Sequence, residues 1–232
     1  MTVAFVDTPE KTLYTAGWSP RIRKVQGKAG FELTYKKRYT IAGNDAADTA
    51  DINAALDVAN KDGFGGGRDS KYEAQVEWGY ERMTLSISRD KKVAQAQGQV
   101  EIGSVGSASL PDEAQKIAEM LVKEAPDKFD DDGGVKGFGT TALKKGRVFG
   151  PVYAKRWVGT LEGVKMTLEV WPIKLKNGDE EEKWEYVTEM SFKADERKEG
   201  AKIRKRVTEL LEEKGWLVPR DSLKTKLVMD NM

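Results

Sequence analysis

The sequence contains no cysteine and no histidine, only seven prolines in 232 residues, and no apolar run near the ~18 residues that a membrane-spanning helix needs. Each absence closes a class of chemistry. Without cysteine there is no disulfide scaffold, thiolate metal site or cysteine nucleophile, and without histidine there is no His-based triad and no His-ligated zinc. Any catalysis must rely on carboxylate, lysine, arginine, tyrosine or a borrowed metal. The opening stretch Met1-Thr2-Val3-Ala4-Phe5-Val6-Asp7 has the form of neither a signal peptide nor a transit peptide, so the chain as given reads as soluble with no targeting segment. An excess of one charge is also lacking: 39 Lys+Arg stand against 38 Asp+Glu, a formal net charge of +1. Total charge therefore points to no polyanionic partner, and any such preference must come from how the charges are arranged.

What is present is a 33% charged, 39% apolar chain dominated by alternating segments. Its length predicts one domain over residues 1–232. Strands are expected over roughly 19–24, 31–41, 71–79, 82–89, 151–160, 164–173, 184–194 and 222–229, with 2–6 a further one. Three helices interrupt them, over about 49–60, 112–124 and 197–214; Asp195 suits the cap of the last and Gly215 its left-handed end. The glycine-rich and acidic tract near 126–146 reads as a flexible internal connection.

Several motifs fail on context. Gly137-Phe138-Gly139-Thr140-Thr141-Ala142 has dinucleotide-loop glycine spacing, but no apolar strand precedes it and no helix is expected to follow at once. No glycine run leads to Lys-Ser or Lys-Thr at P-loop spacing. Asp130 to Asp132 lack the alternating ligands and terminal Glu of a calcium loop and read as a solvated loop. The basic run Lys202 to Arg206 lies on the polar face of the last helix, and neither a nucleic-acid nor a membrane partner is expected.

The informative pattern is the sorting of charge by face. In a strand, residues two apart share a side, so Phe31, Leu33, Tyr35, Lys37 and Tyr39 oppose Glu32, Thr34, Lys36 and Arg38. Arg21 and Arg23 alternate in the same way. So do Glu73, Gln75 and Glu77 against Ala74, Val76 and Trp78, and Lys165, Thr167 and Glu169 against Met166, Leu168 and Val170. Glu189, Ser191 and Lys193 oppose Met190 and Phe192, while Lys224 and Lys226 oppose Leu223, Thr225 and Leu227. An ordinary half-solvated antiparallel sheet explains this pattern in part. The sharper account is an α+β protein built on an antiparallel barrel of about eight strands, with both charge signs lining the lumen and about three helices covering its apolar exterior. Such a tunnel would suit a polyanion, with cations on phosphate oxygens and carboxylates holding Mg²⁺ or Mn²⁺. On the plainer account Arg21, Arg23, Lys36 and Arg38 are exposed strand charges, and Glu169 and Glu189 are cross-strand partners of Lys165 and Lys193. Trp18, Trp78, Trp157 and Trp171 are expected in packing.

The run Phe5-Val6-Asp7-Thr8-Pro9, then Leu13-Tyr14, Gly17-Trp18-Ser19-Pro20-Arg21-Ile22-Arg23 and Phe31-Glu32-Leu33-Thr34-Tyr35-Lys36, resembles the core of the CYTH, or triphosphate tunnel metalloenzyme, superfamily. Leu168-Glu169-Val170, Thr188-Glu189-Met190-Ser191-Phe192-Lys193 and Asp221-Ser222-Leu223-Lys224-Thr225-Lys226 follow that family's order in the C-terminal half. Carried over by position, the resemblance implies substrate-binding cations at Arg21, Arg23, Lys36, Arg156 and Lys226, with Arg38, Lys165 and Lys193 counted beside them. It implies metal-binding carboxylates at Glu73 or Glu77, Glu169 and Glu189 for Mg or Mn. The long form of the first motifs resembles uncharacterised secreted proteins of filamentous fungi in that group, which implies secretion. The hallmark E-x-E-x-K strand, expected before Asp7, does not appear in a chain that starts at Met1. The expectation is therefore a tunnel that binds a small triphosphate-like polyanion, with weak or absent metal-dependent triphosphatase activity. An active Mg- or Mn-dependent phosphoanhydride hydrolase and a non-enzymatic interaction or small-ligand barrel remain the alternatives.

Overall fold

Alternation decides the longest strand of the first sheet. In β3 (Phe31–Ile41), every second side chain from Phe31 to Ile41 is buried, and Glu32, Lys36 and Arg38 turn to the other side. The computed structural model describes residues 1–43, 48–65, 71–94, 102, 111–175, 183–221 and 224–232. The other strands are β1 (Thr2–Asp7), β2 (Arg21–Lys24), β4 (Glu73–Trp78), β5 (Met83–Val93), β6 (Arg147–Tyr153), β7 (Lys155–Leu161), β8 (Val164–Leu175) and β9 (Lys183–Phe192). They form a six-stranded sheet in the order β4-β5-β3-β2-β1-β6 and a three-stranded sheet β7-β8-β9, with antiparallel neighbours throughout.

Helices cover one face of the large sheet. Against β3 and β5 lies α2 (Thr49–Ala59), opened by a capping box in which Asp51 N donates to Asp48 Oδ1 at 3.0 Å and Asp48 N to Asp51 Oδ2 at 2.9 Å. Its Ala55 and Ala59 pack on Tyr39, Ile41, Met83, Leu85 and Ile87. Beneath β1, β2 and β3, Ile117 and Leu121 of α3 (Pro111–Lys123), Phe129 of α4 (Asp127–Asp130) and Leu143 of α5 (Phe138–Lys144) pack with Ala4, Val6, Ile22, Leu33 and Tyr35. A short α1 (Thr12–Thr15) follows β1 and is seated by Asp7, whose buried carboxylate accepts from Thr8 N, Leu13 N and Tyr14 N at 2.7–2.9 Å.

The opposite face of the large sheet is divided. Over β1 and β6 it is apolar: Val3, Phe5, Phe149 and Val152 pack with Trp171, Ile173 and Val187 of the small sheet and with Val228 and Met229 of α7 (Lys224–Asn231). Over β2, β3, β4 and β5 it is charged. The small sheet therefore stacks on one half of the large sheet, and the charged half lies beside that contact.

Six expectations are corrected. No closed barrel forms among the described residues, because the strand read over 151–160 breaks at Ala154: β6 completes the large sheet and β7 begins the small one. Seven α-helices are described instead of three. Residues 224–231 are helical and not a strand; Val228 and Met229 are both buried, which consecutive residues of a one-sided strand cannot achieve, and over so short a run period 2 and period 3.6 coincide. The tract 126–146, expected as a flexible connection, carries α4, a 3-10 turn (Asp132–Gly134) and α5. A helix does follow Gly137, and Gly139 is small because a Cβ there would lie 2.4 Å from Phe129 O. The solvated-loop reading of Asp130 to Asp132 fails with it. Asp130 Oδ1 accepts from Thr140 N at 2.8 Å, and Asp132 pairs with buried Lys37, whose ammonium also lies 3.5 Å from Asp62 and 5.4 Å over the Trp18 ring. A smaller difference is at α6 (Arg197–Glu213), which is capped at Glu196 without a side-chain bond; Gly215 does take the left-handed conformation.

Candidate anion-binding cleft

The charged face is built by register. Arg21 of β2 stands opposite Thr34 of β3, and Arg23 opposite Glu32. On the far side of β3, Thr34 faces Asp90, Lys36 faces Ser88 and Arg38 faces Ser86, while Glu77 of β4 faces Thr84 of β5. All of these side chains point to the charged face, because their neighbours along the chain fill the helix-covered core.

Most charges there are already paired. Arg23 Nε donates to Glu32 Oε2 at 2.9 Å. Lys36 Nζ donates to Glu77 Oε1 at 2.6 Å, and Arg38 divides its guanidinium between Glu77 Oε2 at 3.2 Å and Ser19 Oγ at 2.8 Å. Burial opposes the charge of Glu77, but Arg38 and Lys36 outweigh it and hold the carboxyl at about 2. For Lys36, burial is the larger effect and pulls the ammonium down; Glu77 resists, and Arg38 and Arg21 add repulsion.

Arg21 is the exception. Its Nε is buried with no hydrogen-bond partner among the described residues, and so is Thr34 Oγ1 on the facing strand. Burial first, and then the charge of Arg23, push the Arg21 guanidinium down to about 10. Asp90 and Glu169 act in the opposite direction. That last interaction links the sheets, since Glu169 belongs to β8.

On the small sheet, Glu169 stands between Arg156 of β7 and Glu189 of β9 in the strand register. Arg156 Nε lies 3.7 Å from Glu169 Oε1. Trp171 Nε1 donates to Glu169 Oε2 at 3.0 Å. Lys224 of α7 donates to both acids, 2.8 Å to Glu169 Oε2 and 2.8 Å to Glu189 Oε1. Burial raises the Glu169 carboxyl, yet the Lys224 bond and charge leave it below the usual range.

Of the residues singled out in the sequence, Arg21, Arg23, Lys36, Arg38 and Glu77 share the charged face of the large sheet, and Arg156, Glu169 and Glu189 form a second group on the small sheet. Others do not join. Lys226 is exposed on α7 and pairs with Asp230, a direct result of the helix replacing the expected strand. Glu73 is exposed at the start of β4, and Lys165 and Lys193 are exposed with no ion pair among the described residues. Sequence reasoning set Glu32, Thr34 and Lys224 on polar faces without giving them a role, and gave none to Asp90 or Ser19. Lys224 was detectable from helical spacing, since Val228 lies four residues on. Trp18 and Trp171 are buried as expected, whereas Trp157 is half exposed.

Mg or Mn does not fit the residues present. Among the described residues no group of three or more carboxylates comes together to hold a metal, and the two nearest to that role, Glu169 and Glu189, share the Lys224 ammonium. Glu77 is engaged elsewhere by Lys36 and Arg38.

No family model matches the chain, and no curated protein matches it. Among solved structures it is similar to the putative adenylyl cyclase HpAC1 from Hippeastrum, described as having a dominant triphosphatase activity, with 14% identity and a TM-score of 0.44 over 92% of this chain and 73% of that one.

Proposed function

We propose that the cleft binds a small polyanion of the triphosphate class and turns it over weakly or not at all. The observation that carries this reading is the Arg21–Thr34 pair: a guanidinium Nε–H and a hydroxyl on residues facing each other on adjacent strands, both atoms buried and both without a partner among the described residues. A buried donor left unmade costs about 1–3 kcal/mol, more when charged, so a ligand oxygen that accepts from it recovers that energy on binding. Charge-assisted bonds to phosphate oxygens are the strong ones, and Arg23, Lys36, Arg38 and Arg156 are placed to exchange carboxylate oxygens for phosphate oxygens. The motif resemblance to triphosphate tunnel proteins agrees with this chemistry.

Hydrolysis is a different demand. Phosphoryl transfer is accelerated by charge placed against the transition state, commonly through metal ions, and the carboxylates here are taken by Lys36, Arg38 and Lys224. Cations that bind ground-state oxygens without added transition-state contacts give affinity but little rate. The described helices include none long and apolar enough to cross a membrane.

The test is calorimetric titration of tripolyphosphate at several salt concentrations, beside Arg23→Lys. Affinity should fall as salt rises, because exchanged ion pairs and a multivalent ligand are screened together. It should also fall by about tenfold in Arg23→Lys, because an ammonium does not reproduce the planar fork of Arg. Salt-independent binding, or an unchanged variant, would overturn the reading.

A further inference from the structure

The β8–β9 register places Glu169 directly opposite Glu189, and like charges so paired repel unless a cation stands between them. Lys224 supplies it, 2.8 Å from an oxygen of each. Three features fix the ammonium there. Val228 and Met229 anchor α7 in the core beside Trp171, Ile173 and Val187. The Trp171 ring lies 4.7 Å beneath the Lys224 ammonium, a cation–π contact, while its Nε1–H holds the same Glu169 oxygen that Lys224 uses. Lys224 also lies four residues before buried Val228 on α7, so the ammonium and the anchored side chain share one face of the helix.

We propose that Lys224 is the resident cation of the Glu169–Glu189 pair, that it occupies the place a divalent ion would need, and that the cleft therefore binds its anion without metal. A metal site is latent behind the ammonium. A divalent ion entering the wild-type cleft must expel Lys224 and leave an unpaired ammonium at 17% side-chain exposure, with only two carboxylates gained. The inference deepens the polyanion reading of the same cleft and rests on it only for what the metal-free site holds.

The test uses the full chain and Mn²⁺ alone, followed by electron paramagnetic resonance, so that tripolyphosphate plays no part. Wild type should bind Mn²⁺ weakly. Lys224→Met and Lys224→Gln should each bind it more tightly by about tenfold or more, since one unit charge ~4 Å away is worth at least that factor in a partly buried site. Adding Glu169→Gln and Glu189→Gln to either should remove the gain. A tight Mn²⁺ site in wild type that disappears in Glu169→Gln/Glu189→Gln overturns the proposal, as does the absence of any gain in both folded Lys224 variants. If neither variant folds, the wild-type measurement still decides it, together with tripolyphosphate titration in Mg²⁺ and in chelator. Affinity no greater in Mg²⁺ than in chelator is expected there, because Mg²⁺ held by tripolyphosphate only lowers the ligand's charge, and tighter binding in Mg²⁺ is the contrary result. Failure of tripolyphosphate to bind under either condition counts against the polyanion reading and leaves the Mn²⁺ result standing.

Discussion

Replacing Glu77 with Gln should weaken the fold and strengthen anion binding at the same time. Glu77 is the shared acceptor of Lys36 and Arg38, and those cations hold its carboxyl at about 2 against an ordinary 4.5. At ~1.36 kcal/mol per pKa unit, this difference is ~3.4 kcal/mol in favour of the folded state at neutral pH. About a third of the side chain reaches solvent, with 34% of its surface exposed, so screening reduces the figure to about 2 kcal/mol. In a chain of this length that corresponds to a Tm lower by ~4–8 °C. The pH dependence has a definite sign. A carboxyl depressed in the folded state stabilises fully above its unfolded value near 4.5 and ceases to do so as pH falls through about 2, so the gap between wild type and variant should be constant from pH 7 to 5 and narrow below. Meanwhile Lys36 and Arg38 lose their internal competitor. An incoming phosphate then displaces at most two neutral bonds to the glutamine amide, worth ~0.5–1.5 kcal/mol each, instead of two charge-assisted ones worth ~1.5–3 kcal/mol each, and tripolyphosphate affinity should rise by at least about tenfold. Thermal unfolding across pH, with and without tripolyphosphate, measures both effects. An unchanged Tm at pH 7, or tripolyphosphate bound more weakly by the variant, would refute the assignment of Glu77 as the competitor for these cations.

Phosphate release from tripolyphosphate, ATP and thiamine triphosphate, assayed in Mg²⁺ and in Mn²⁺, should stay near background and be equal in wild type and Glu169→Gln/Glu189→Gln; robust wild-type turnover lost in the double variant would show that those acids support hydrolysis. Asp7→Ala should strip acceptors from three buried or half-buried N–H groups at the β1–α1 turn. At ~1–3 kcal/mol for each unmade bond, chemical denaturation should show a loss of about 3 kcal/mol or more, and a loss under about 1 kcal/mol would mean that water replaces the carboxylate there.

The strands β3, β4 and β5 of the large sheet were legible in the sequence because their charged and apolar residues alternate, whereas β1 is buried on both faces. The alternation from Phe31 to Ile41 and from Met83 to Ile87 has a single period, and it separated Lys36, Arg38 and Glu77 from the core before any contact was known. Two things were not legible. The step of the chain from β6 to β7 at Ala154 carries no turn signature, since apolar and polar residues continue across it, so two sheets read as one barrel. At the C-terminus, the stretch from Leu223 fits a strand and a helix equally well, and only the joint burial of Val228 and Met229 distinguishes them. That ambiguity exchanged Lys226 for Lys224 and hid the cation that sits on Glu169 and Glu189. Lys37 misled in another way, as a charge on the apolar face whose partners, Asp132 and Asp62, are far from it in sequence.

The central claim is that the buried Nε of Arg21, without a hydrogen-bond partner among the described residues, is kept for a ligand, and calorimetric titration of tripolyphosphate into wild type and Arg21→Met tests it most directly. A guanidinium pulled down to about 10 by burial and by Arg23 destabilises the fold at any pH below that value, so a methionine of similar length should be tolerated or stabilising. The account predicts a folded variant, with Tm equal to wild type or higher, whose affinity for tripolyphosphate is lower by about tenfold or more, the loss of at least one charge-assisted bond. A folded Arg21→Met protein that binds tripolyphosphate as tightly as wild type would contradict it.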